Sequence, residues 1–177
     1  MSEFSGDFDF TGDLMGTPPV QPSNGGNGHA AEAEPVDFEG ALAAAEDFIE
    51  AVVWGEHHKV WELIGTDGRT EVLDVATKRG MDEGLAARLA ADDASPAETS
   101  EFLTDLVNGL RSELAGNDLD SVTYEVDETA AEAPRAAVRM LVPLHKLLGG
   151  TLPIGTLYLV PDAGTWKVER LIPLTSK

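Results

Sequence analysis

The chain has 177 residues, 32 of them acidic and 12 basic, for a formal net charge of −20, and it contains no cysteine. That length suits one domain with a tail, and a field of that sign repels nucleic acid and anionic membrane surfaces, so neither is an expected partner. Without cysteine there is no disulfide and no thiolate metal site.

Residues 1–36 are rich in Gly, Asp, Ser, Asn and Pro, with Asn24-Gly-Gly-Asn-Gly28 as the clearest linker. Such a composition buries too little apolar surface to offset ordering entropy, so a disordered acidic tail is expected over 1–36 and a folded domain over 37–177. Residues 1–40 hold eight carboxylates and no Lys or Arg. Against that background Phe4, Phe8, Phe10, Leu14 and Met15 stand out, where Ser5-Gly-Asp7 and Thr11-Gly-Asp13 each precede apolar residues. Acidic segments carrying apolar side chains dock on proteins by folding as they bind, so these five residues form a candidate partner-binding tail. The N-terminus lacks the apolar core of a secretory leader, and the uncharged run from Leu147 to Pro161 is short and broken by Gly149, Gly150 and Pro153. A cytoplasmic protein is therefore expected.

Asp37 is placed to N-cap a helix opening at Phe38, with Leu42, Ala45, Ile49, Val52 and Val53 on its apolar stripe and Gly55 as its stop. A second, short helix is expected from Glu56 to Ile64, and Asp67-Gly68 reads as a turn. Helical propensity then runs from Arg69 to Arg79, with Val72, Val75 and Ala76 on one face, and resumes from Met81 to Ala91. Ser95-Pro-Ala-Glu98 is a capping box with Pro at the first helical position. The helix it opens carries Phe102, Leu103, Leu106, Val107, Leu110 and Leu114.

The last third alternates with a period of two. Val122, Tyr124 and Val126 share one face of the first strand, and Val138, Met140, Val142 and Leu144 one face of the second. Pro143 cannot donate to a ladder, so that end is expected at an edge, bulge or bend. Gly149-Gly150 supplies a reversal before Ile154–Val160. Pro161-Asp-Ala-Gly164 then reads as a turn, with Gly164 suited to positive φ, leading into a strand where Trp166, Val168, Arg170 and Ile172 alternate with Lys167, Glu169 and Leu171. Helices first and strands last is the α+β pattern, with an antiparallel, strongly twisted sheet of about four strands.

This order of elements resembles the nuclear transport factor 2-like superfamily over residues 38–177. Two segments carry the resemblance: Ala43–Ile64, with Trp54-Gly55 and Trp61-Glu-Leu-Ile64, and Gly155–Ile172, where a hairpin turn precedes Trp166-Lys-Val. The resemblance implies a cone-like α+β fold, with the N-terminal helices packed in the concave face of a curved antiparallel sheet of about four strands. It also implies one of two activities: small-molecule isomerase, cyclase or dehydratase chemistry inside the cone, or a non-catalytic binding or dimerisation role.

Isomerase-like members of that superfamily pair an Asp base with a Tyr or protonated Asp as oxyanion donor, because an enolate needs both. The matching residue types are Tyr124 and Tyr158 on strands and Asp74 in the third helical run, with His145 beside Pro143 as a further acid/base candidate. None of these composes a catalytic signature. His57 and His58 diverge by about 100° on a helix, which suits no shared ion, so no metal and no cofactor is expected. Trp54, Trp61, Tyr124, Met140, Tyr158 and Trp166 are expected to line whatever pocket holds a small apolar ligand. The opposite sheet face, with Thr123, Arg139, Lys167 and Glu169, is a candidate homodimer surface. The expected function is a non-catalytic interaction or ligand-binding module, its protein partner basic and met through tail and sheet. Small-molecule isomerase, cyclase or dehydratase is the alternative, and an acidic inhibitor or immunity protein for a basic partner the third.

Overall fold

The computed structural model describes residues 37–131, 134–144 and 149–174. Among these residues five α-helices precede four strands: α1 (Phe38–Trp54), α2 (His57–Leu63), α3 (Thr66–Lys78), α4 (Glu83–Ala90), α5 (Pro96–Glu113), β1 (Thr123–Val126), β2 (Ala136–Pro143), β3 (Thr151–Asp162) and β4 (Thr165–Pro173). The strands form one antiparallel meander in the order β1-β2-β3-β4. The fold is thus the expected α+β class, with the helices packed against an open four-stranded sheet.

Local signals set most helix ends. Asp37 Oδ1 accepts from the Gly40 N–H at 3.1 Å, Asp82 Oδ1 from Leu85 at 2.9 Å, and Ser95 and Glu98 close a reciprocal capping box. Gly55 stops α1 in the left-handed region at φ 74°. The last carbonyls of α1 and α2 find partners from farther along the chain, which no cap motif announces. Arg111 of α5 donates from Nε to Val52 O at 2.9 Å and from Nη2 to Val53 O. Arg69 of α3 donates from Nε to Trp61 O and Ile64 O, both at 3.1 Å, and stacks on the Trp61 ring at 5.0 Å.

Asp67-Gly68 is not a turn. Both residues lie in the first turn of α3, because Gly65 and Gly68 let that helix start against the edge of β4. The Gly65 N–H donates to Val168 O at 2.9 Å, and Ile64 bridges Val168 in parallel. A Cβ on Gly68 would fall 2.7 Å from Glu169 O and 2.9 Å from Val168 O. Lys167 Nζ donates to Glu62 O at 2.8 Å across the same seam. The seam covers one sheet edge that would otherwise present open hydrogen-bonding groups.

The hairpin turn is also tighter than the sequence implies. Pro161 and Asp162 pair with Trp166 and Thr165 as strand, leaving Ala163 (φ 49°) and Gly164 (φ 83°) as a two-residue turn of the primed kind.

Two register shifts reorganise the sheet faces. In the β2–β3 ladder Met140 pairs Gly155 while Leu141 pairs Pro153, which leaves Ile154 as the extra residue. In the β3–β4 ladder Tyr158 pairs Arg170 while Leu159 pairs Val168, which makes Glu169 the extra one. An inserted residue flips every side chain beyond it. Leu171 therefore joins Val168 against the core, whereas Arg170 and Ile172 pass to the outer face with Tyr158 and Thr156, correcting the strict alternation expected for β4. Arg135 holds the bulged Glu169 with two close contacts, Nε at 2.6 Å and Nη2 at 2.7 Å.

The main core lies between α1 and the sheet. Phe48, Ile49 and Val52 of α1 meet Met140, Leu157 and Leu159, all fully buried. A smaller core joins α3, α4 and α5 through Leu73, Leu89, Phe102 and Leu103, with Trp61 edge-on to Phe102 at 5.5 Å and 88°.

Candidate functional site

The residues expected to line one pocket do not share one. Tyr124 pairs Met140 on the inner face, but Tyr158 pairs Ala137 and Arg170 on the outer face, so the two tyrosines lie on opposite sides of the sheet. Trp54 is 72% exposed at the end of α1. Trp61 packs against both cores, and Trp166 packs on the first turn of α1, where a Cβ on Gly40 would fall 2.9 Å from the Trp166 Cδ1. The Met140 ε-methyl fills the inner face against Gly155, whose Cβ would fall 2.7 Å away. The helix-facing side of the sheet is packed with side chains where a ligand was expected.

The acid/base candidates are equally scattered. Asp74 is exposed in the middle of α3, and His145 lies outside the described residues, as do Phe4, Phe8, Phe10, Leu14 and Met15. Tyr124 is half-buried and its phenol is pushed up to about 12, first by burial and then by the nearby carboxylates of Glu46 and Glu50. The charged form is disfavoured there, so Tyr124 stays a neutral hydroxyl through the physiological range. Arg139 stands on the outer face with Thr123, 3.9 Å from Glu125 and 3.7 Å from Asp127. Lys167 is drawn to the α2 carbonyl and Glu169 to Arg135, so only part of the expected dimer surface is presented. Among the described residues no group of three or more His, Asp or Glu could hold a metal ion, and no helix is long and apolar enough to cross a membrane.

The open volume lies elsewhere. A groove of about 710 Å³ runs between α3, α4, α5 and the outer half of β4. Its floor is apolar: Val72, Val75 and Ala76 from α3, Met81 just before α4, Leu85 within α4, and Phe102, Leu106 and Leu110 from α5. Val75 is 38% exposed there, one of few large apolar side chains among the described residues so open to solvent. The residues arise for a plain reason. Each helix presents one stripe to a core and a neighbouring stripe to the gap, so Leu106 and Leu110 touch the main core and still line the groove.

The rim is charged, and its two sides differ. Glu71 is held by Arg170 at 3.1 Å, Glu98 by Arg88 at 2.5 Å, and Glu169 by Arg135. Glu98 also accepts from Ser95, and these contacts, the Ser95 backbone N–H foremost, lower its carboxyl to about 2. Along α5, Glu101, Asp105 and Glu113 are exposed and make no ion pair among the described residues. Between Asp105 and Glu113, one turn from each, sits Gly109. It is a groove-lining glycine inside a helix, and among the described residues no neighbouring element comes within 4 Å of where its Cβ would stand.

Reading the sequence for pairs of tyrosines and carboxylates overlooked this groove. Its floor residues were legible as helix faces, but nothing local says that two such faces stand apart rather than in contact. The one available signal was Gly109, a costly residue in the interior of a strongly capped helix. Comparison with protein-family models, with curated proteins and with solved structures finds no match to this chain.

Proposed function

We propose that this chain is a non-catalytic binding module, and that the groove between α3 and α5 is where it receives an apolar surface. The observation that carries this is an open volume of about 710 Å³ with an apolar floor, beside a sheet whose helix-facing side is filled by buried side chains. Sites for apolar groups have this form: a hydrophobic floor with a few polar groups around it. The kinship with the nuclear transport factor 2-like superfamily belongs to the same proposal, supported by element order and by α1 packing on a four-stranded meander. The acidic tail, with Phe4, Phe8, Phe10, Leu14 and Met15, is its second docking element, on the strength of its sequence pattern alone.

Titration of the full-length protein with Nile red, a neutral apolar dye, tests the groove. Saturable fluorescence enhancement is expected, and Gly109→Trp should abolish it by placing an indole in the open space above α5. Enhancement that is absent, or that survives Gly109→Trp undiminished, would overturn the proposal.

A further inference from the structure

The groove has a directional charge pattern as well as an apolar floor, and the pattern selects a partner. On one side α5 presents Glu101, Asp105 and Glu113 without ion-pair partners among the described residues. On the facing side Glu71 and Arg170 satisfy each other, and Arg79 alone adds a positive charge. The α5 rim from Glu98 to Glu113 extends about 22 Å, which is the length of a helix of about four turns.

Gly109 marks the middle of that rim. Glycine is, after proline, the costliest residue in a helix interior, and packing among the described residues does not require it here. The small residue lowers the wall of the groove between two carboxylates that stand about 12 Å apart along the helix axis. A second helix crossing there would bring its backbone close at Gly109 and its flanking side chains to Asp105 and Glu113.

Resting on the binding-module reading above, we infer that the groove takes a basic amphipathic helix of a partner protein. Its apolar face at i, i+3, i+4 and i+7 enters the floor formed by Val75, Leu106 and Leu110. Its Lys or Arg side chains, seven or eight positions apart on either side of the crossing point, meet Asp105 and Glu113. The chain's own tail is a poor occupant, because residues 1–36 contain acidic side chains and no Lys or Arg. Like charges along α5 would oppose its entry.

Fluorescence anisotropy with the full-length protein tests this, using a labelled Leu/Lys peptide of about 18 residues patterned as an amphipathic helix. A scrambled peptide of identical composition and a Leu/Glu peptide of identical pattern are the comparisons. The patterned basic peptide is expected to bind at least tenfold more tightly than either, and Gly109→Trp to weaken it at least tenfold. Asp105→Asn with Glu113→Gln should weaken it severalfold at low salt, with the difference fading as salt screens the rim. This second variant leaves the helix surface exposed and covers the case in which Gly109→Trp misfolds.

Equal binding of the scrambled peptide would reduce the effect to attraction by a −20 protein and overturn the inference. So would equal binding of the Leu/Glu peptide. Self-association blocked by Gly109→Trp would give the groove to a second copy. Tighter peptide binding after Phe4, Phe8 and Phe10 are changed to Ala would give it to the tail. If Nile red enters and Gly109→Trp excludes it while no peptide discriminates, the groove reading survives and this partner assignment falls; if neither binds, both fall.

Discussion

The same substitution, Gly→Ala, should have opposite signs in two helices of this protein. At Gly68 in α3 an added Cβ meets backbone oxygens, 2.7 Å from Glu169 O and 2.9 Å from Val168 O, as well as Ile64 Cγ2 at 2.9 Å. None of these is the flexible end of a long side chain, so the start of α3 must lift from β4. Overpacking of this kind costs about 2–3 kcal/mol. Disturbing the Gly65 N–H bond to Val168 O adds about 1 kcal/mol. Better helix propensity returns up to about 1 kcal/mol, which leaves a net loss of about 2–3 kcal/mol for Gly68→Ala. At Gly109 in α5 the Cβ enters open space, so only the propensity gain remains, about 1 kcal/mol in favour of Ala. Thermal unfolding followed by far-ultraviolet circular dichroism measures both. For a domain of this size each kcal/mol moves Tm by about 2–4 °C, so the two variants should fall about 6–16 °C apart with wild type between them. A Gly68→Ala protein as stable as wild type would refute the close packing of α3 on β4. A Gly109→Ala protein less stable than wild type would show that the space above α5 is already occupied.

Three further outcomes are expected. Ala163 stands at φ 49° in the hairpin turn, a conformation that an L side chain adopts at a cost, so Ala163→Gly or Ala163→Asn should stabilise by about 0.5–1 kcal/mol in urea denaturation. Because Tyr124 titrates at about 12, above its ordinary value near 10, the protein should lose stability as pH rises across that interval. Absorbance at 295 nm should show a late phenolate step that Tyr124→Phe removes. Glu98 is the opposite case: its carboxyl is lowered from 4.5 to about 2, so its contribution is complete above the ordinary value and disappears as pH falls toward 2. Glu98→Gln should flatten the acid limb of a stability–pH profile, and an unchanged limb would count against the capping box and the Arg88 contact as its source.

Features that depend on a few neighbouring residues were legible in the chain. Asp37 before Phe38, Gly55 after Trp54 and Ser95-Pro-Ala-Glu98 end or begin helices through contacts within one turn, so their chemistry is visible in order along the sequence. The period-two runs likewise announced four antiparallel strands and the α+β class. Tertiary packing decided the rest. Ile154 and Glu169 bulge because the ladders on either side must each bury their own apolar set, and a period of two cannot reveal an inserted residue. The β1–β2 and β2–β3 registers set Tyr124 beside Met140 but Tyr158 beside Ala137, on opposite faces, and period-two runs read one strand at a time do not fix those registers. Gly68 reads locally as a turn former, yet it sits in a helix because β4 lies against it. Arg69 and Arg111 close helix ends that they are distant from in sequence, as when Arg111 reaches Val52. The groove is the clearest instance. Its floor is ordinary helix-face leucine and valine, and only the separation that β4 and the two cores impose on α3 and α5 leaves those faces open, with Gly109 between two carboxylates at the rim.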